Sequence, residues 1–152
     1  MSTSSDRWDV DAIKAGAGVC VAFAVPLQVI AALLGNDSGL ATLLRIGALV
    51  GFLLGAGVAA WVEQRGLPLS HGLVTALATF AVVQLGFILA RAIAGNELRL
   101  GAAIANVAPV LGVGLFGGFL GRRLQRHGIQ PSIIRATSRP STAGDESGEV
   151  AP

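Results

Sequence analysis

Four long stretches of this chain carry no charged side chain, and that pattern limits the fold more than any other feature. Ala15–Leu34 gives 20 such residues in a row, Ile46–Val62 gives 17, Gly66–Ala90 gives 25 and Leu100–Gly121 gives 22. A helix needs ~20 mostly apolar residues to cross the ~30 Å hydrocarbon core of a bilayer. The second window reaches that length by starting at Leu40, with Arg45 snorkelling to the headgroups. Four spans in 152 residues leave no room for a soluble domain, and the overall makeup agrees, with 53% hydrophobic and only 13% charged residues. The sequence therefore predicts an all-α integral membrane four-helix bundle. It divides into a polar segment 1–14, a four-span domain 15–121 and a tail 122–152 that is basic, then rich in Ser, Thr, Pro and Gly. Such a composition predicts disorder beyond about Ile134.

The first 14 residues hold Asp6, Asp9 and Asp11 against Arg7 and Lys14. A cleaved signal peptide has a basic start and an apolar core of about 7–15 residues, so span one is expected to stay in the mature protein. Ser5 or Asp6 is the expected helix cap, and Trp8 an anchor at the membrane surface. Pro26 is expected to kink span one. The tight polar turns Gly35-Asn36-Asp37-Ser38-Gly39 and Gly95-Asn96-Glu97-Leu98-Arg99 close one side of the bundle. Gly66-Leu67-Pro68-Leu69-Ser70-His71 closes the other.

Orientation follows from the basic residues. An even number of spans puts both termini on one side. That side collects eight Lys and Arg residues, against Arg45, Arg91 and Arg99 on the other. Basic residues favour the cytoplasm, so both termini are expected inside, in a bacterial inner membrane. The lipid-facing basic run Arg122, Arg123 and Arg126 has the pattern of a cytoplasmic stop sequence able to touch anionic lipid. It gives no reason to expect nucleic acid as a partner.

Within span two, Gly47, Gly51, Gly55 and Ala59 fall at every fourth position. On a helix that spacing makes one smooth stripe, and in lipid such a glycine zipper lets a second backbone approach closely. Span four carries the pairs Gly114/Gly118 and Gly117/Gly121. Composition alone supplies some glycine, since the chain has 21 of them, ten Arg to one Lys and no Tyr, the usage of a GC-rich genome. The strict register in span two still predicts a packing face.

The two halves resemble each other. Gln28 and Gln84 occupy similar depths, Gly35-Asn36-Asp37 returns as Gly95-Asn96-Glu97, and each half ends on a basic exit. A parallel repeat of two hairpins, related by an axis along the membrane normal, would produce this pattern.

Chemistry-bearing residues are few. Cys20 stands alone and reads as a small packing residue. His71 and His127 lie near the cytoplasmic edge, where a headgroup contact is the expected role, with the lining of a cytoplasmic cavity as the alternative for His71 beside Gly72. No Asp or Glu lies within a span, which weighs against an ion-coupled carrier. Nothing predicts a catalytic residue, a cofactor or a metal. Gln28, Gln84 and Asn106 are the amides of the spans. They are expected either to bond between helices, at ~0.6–2 kcal/mol each, or to line a path for a small uncharged solute.

The run Gly55-Ala56-Gly57-Val58-Ala59-Ala60-Trp61, with Gly66, His71-Gly72 and Gly114-Leu115-Phe116-Gly117-Gly118, resembles a family of small four-span bacterial membrane proteins of unknown function. The likeness extends over about Ile13–Gly121. It departs from that pattern in a Gly66-to-His71 gap two residues longer, and in Ala76 where the family often has Gly. The resemblance implies four helices and an inner-membrane location, and lends no activity. Two functions are expected from these residues. The first is a non-enzymatic scaffold or accessory subunit that packs against itself or another membrane protein among membrane lipids. The second is a small channel or facilitator lined by Gln28, Gln84 and Asn106.

Overall fold

In the computed structural model, residues 8–35, 38–64, 66–95 and 100–129 are described. Ser5, Asp6, Asn36, Asp37, Asn96, Glu97 and the tail beyond Ile129 lie outside them. The chain is helical: α1 Val10–Leu34, α2 Gly39–Val62, α3 Pro68–Ile93, α4 Leu100–Ala105 and α5 Val107–Arg126. Four helices are long and apolar enough to cross a membrane, the fourth running Ala103–Arg126.

Their boundaries follow local chemistry. Asp9 caps α1, its Oδ1 accepting the Ala12 N–H at 3.1 Å. The helix therefore starts a turn before the uncharged window, and Asp11 and Lys14 pair on its exposed side at 3.7 Å. α1 continues as helix through Pro26. Between α2 and α3 the chain reverses at Gly66, whose φ of 81° is a left-handed conformation that suits glycine, and Pro68 then opens α3.

The fourth span differs from expectation. The uninterrupted segment Leu100–Gly121 is instead two helices that meet at Asn106. Pro109 has no N–H for the carbonyl of Ala105, and its ring crowds that carbonyl, so the ladder breaks there. α5 then runs past the apolar window to Arg126.

Small residues set the packing. α1 buries Ala12, Gly16, Cys20 and Ala24 along one stripe, and α2 meets it with Gly51, Gly55 and Ala59. A methyl on Gly55 would stand 2.5 Å from the Gly16 oxygen and collide with Cys20 Sγ. One on Gly16 would stand 2.5 Å from the Gly55 oxygen. The two backbones touch. Gly47, at the end of the stripe, is half-buried and meets only the tip of Leu27.

The α5 glycines face two ways. A methyl on Gly117 or Gly121 would stand 2.5 Å from the carbonyl oxygen of Leu53 or Gly57 in α2. Gly114 and Gly118 instead approach Ala76 and Leu69 of α3. Between these interfaces sits a thin apolar core of Cys20, Ala24, Ala48 and Phe52, joined through Phe80 to Ala56, Ala76 and Val110. Phe52 and Phe80 meet edge to face at 6.2 Å, a favoured aromatic geometry.

α2 and α3 both pack on α1 and on α5, and on each other across the bundle. A twofold relation between hairpins would require α1 and α5 to pack as α2 and α3 do, and among the described residues no interface of that extent joins them. Large apolar side chains point outward, among them Leu33, Val82, Leu85 and Ile93. This inversion of the usual surface fits a lipid solvent. Beyond Thr79 no described residue of α3 is fully buried, and Val83, Gln84, Phe87 and Ile88 are half-buried.

Candidate functional site

Of the buried polar side chains, Glu63 and His71 lie at one end of the bundle, where α1 and α3 begin and α2 and α5 finish, and Thr75 and Thr79 lie deeper. His71, in the first turn of α3, is fully buried. Its Nε2 accepts the backbone N–H of Asp9 at 2.9 Å, and its Nδ1 lies 2.9 Å from the Leu67 oxygen. A carbonyl oxygen only accepts, so Nδ1 must donate, and the ring is the neutral Nδ1–H tautomer. The Trp8 ring lies 5.3 Å from the imidazole, centroid to centroid. His71 thus holds the start of α1 against α3. The expected headgroup contact is corrected: the ring faces inward because both of its nitrogens have protein partners.

Two more side chains complete this end. Glu63 is 3% exposed, and both of its carboxylate oxygens accept the Leu67 N–H at 3.1 Å, capping the start of α3. Gln125 donates from Nε2 to the oxygens of Trp61 and Glu63, at 3.1 and 2.6 Å, and so ties the last carbonyls of α2 to α5. The Trp61 indole N–H donates to the Ile129 oxygen. Helix ends leave four donors or acceptors unmet, and here other helices meet several of them. Sequence reading missed all three roles. Pro68 as a first helical residue, with Glu63 a turn before it, was the available local signal for the cap. Nothing local marks a bond between Asp9 and His71, 62 residues apart.

Deeper in the bundle, Cys20 Sγ faces the Phe52 oxygen at 3.9 Å, in keeping with a packing role. Thr75 Oγ1 is buried with no hydrogen-bond partner among the described residues.

The three amides do not come together as a buried group. Gln28 and Gln84 are half-buried, and neither makes a hydrogen bond, to the other or to any described residue. Asn106 is exposed at the break between α4 and α5 and does not cap α5 with its side chain. The interhelical bonds expected of them are absent among the described residues. Arg122, Arg123 and Arg126 are exposed along the end of α5, at the same end as Trp61 and His71.

Among the described residues, no three His, Cys, Asp or Glu side chains lie close enough to share a metal ion. No family model, curated protein or solved structure matches the chain.

Proposed function

We propose that this chain is a non-enzymatic scaffold or accessory subunit of a bacterial inner membrane, with both termini in the cytoplasm. The observation that carries the reading is how the interior is used. Glycines of α1, α2, α3 and α5 bring backbones into contact within the chain, as at Gly16/Gly55 and Gly72/Gly118. The polar groups at the basic end fasten helix ends to one another. Gln28, Gln84 and Asn106 are not gathered in the interior as a lined path would need. These features favour a building block over a channel.

They also change what the glycines are for. The stripe of α2 is occupied by α1, so contact with a second copy or another membrane protein must use the outward apolar faces. Eight basic residues on the side of the termini against three on the other support the cytoplasmic orientation. The likeness to small four-span bacterial proteins supports the location. The basic run Arg122, Arg123 and Arg126 suits anionic headgroups of the inner leaflet, at ~1 kcal/mol per charge. The two-hairpin pattern is read as a duplication whose halves have since diverged in packing.

The test is photo-crosslinking in native membranes, from a reactive residue placed at Leu85 or Leu89 on the outward part of α3. One discrete protein adduct, a second copy or a single other membrane protein, is expected. Adducts to lipid alone, there and at the outward Leu43 and Phe116, would overturn the reading.

A further inference from the structure

His71 is built into the bundle in a way that only its neutral form can satisfy. Nε2 receives a proton donor, the Asp9 N–H, and Nδ1–H is spent on the Leu67 oxygen. A proton added to Nε2 would face that donor with a second donor and end the bond. Histidine is the side chain whose charge ordinarily changes between about pH 5 and 8. We propose that His71 is a proton-operated latch. Neutral, it locks Trp8 and Asp9 at the start of α1 onto α3. Protonated, it lets that start go.

Among the described residues, three carboxylates stand at this end: Asp9, Glu63 and the outward Asp11. Asp9, from α1, holds the ring through its backbone while its own Oδ1 caps the Ala12 N–H. Glu63, from the turn after α2, binds the N–H of Leu67, the residue whose carbonyl takes the His71 Nδ1 proton. From α5 the inward group is the neutral Gln125, bonded to the end of α2. Arg122, Arg123, Arg126 and His127 are exposed, and Lys14 pairs outward with Asp11. One proton thus removes the bond that fastens the Asp9 backbone to α3. Trp8, packed on the imidazole ring, moves with it and reports the change. The latch does not depend on the scaffold reading, because it acts within one chain.

The experiment uses the full chain in lipid nanodiscs with Trp61→Phe, so that Trp8 is the only indole. Iodide quenching of Trp8 should rise several-fold between about pH 8 and about pH 5. His71→Gln supplies an amide oxygen for the Asp9 N–H and an amide N–H for the Leu67 oxygen without titrating, so its quenching should stay low and flat. Nitrogen-15 spectra of the imidazole, in a chain with His127→Gln so that one histidine remains, decide the matter if the glutamine variant misfolds. The Nδ1–H tautomer should give way to imidazolium over the same pH range in which Trp8 becomes accessible. A ring that stays Nδ1–H at the acid end, or one that protonates while Trp8 quenching does not change, would overturn the latch. So would a His71→Gln variant that folds and titrates like the parent.

Discussion

Gly55 and Gly86 are both glycines inside membrane helices, yet their surroundings are opposite. A methyl on Gly55 meets the Gly16 oxygen and Cys20, whereas one on Gly86 meets nothing within 4 Å. Overpacking costs ~1–3 kcal/mol, so Gly55→Ala should lower the thermal midpoint in mild detergent. Gly86→Ala should leave it unchanged or raise it, by up to the ~1 kcal/mol that alanine gains over glycine in a helix. Equal behaviour would mean that the glycines are compositional. A second residue-scale prediction concerns the amides. Gln28 and Gln84 are not bonded to each other, so their changes to Leu should be independent and add within ~0.5 kcal/mol. A double variant markedly more stable than the singles predict would reveal a bond that the structure lacks. The register of Gly51, Gly55 and Ala59 was legible because it repeats locally every four residues. That α1 would fill the stripe was not, since a small-residue face does not encode its partner. The His71 and Gln125 contacts were hidden for the same reason, joining residues more than 60 positions apart.

At the scale of elements, the number of spans could be read directly and their ends could not. Freedom from charge measures hydrocarbon thickness, while a helix stops where its backbone groups find other partners. Hence α1 begins at Val10 because Asp9 caps it, and α5 extends through Arg122 and Arg123 into the basic run. Asp9→Ala should cost about 1 kcal/mol through the lost cap alone, read as faster hydrogen exchange confined to the first turn of α1. Unchanged exchange at Ala12 would show that the cap contributes nothing. Pro109 was visible in the sequence, but Pro26 stands in a continuous helix, so a proline by itself does not say whether a span will break. Replacing Pro109 with Ala restores a donor for the Ala105 carbonyl and should fuse α4 with α5. Slower exchange across residues 105–110 would report it. Exchange as fast as in the parent would place the cause of the break elsewhere.

At the scale of the molecule, the apolar exterior and the backbone-to-backbone interior belong to a protein whose solvent is lipid. The basic residues predict its orientation. In a Cys20→Ala chain, a cysteine at Gly39 should label only from outside the cell and one at Gly128 only from the cytoplasm. The reverse pattern would invert the topology. In a scaffold the interior is a set of closed helix contacts with no conducting path. Stopped-flow light scattering of proteoliposomes, challenged with glycerol and with urea, tests it most directly. Rates equal to those of protein-free liposomes are expected. A solute-selective flux that disappears when Gln28 and Gln84 are both changed to Leu would contradict the scaffold reading.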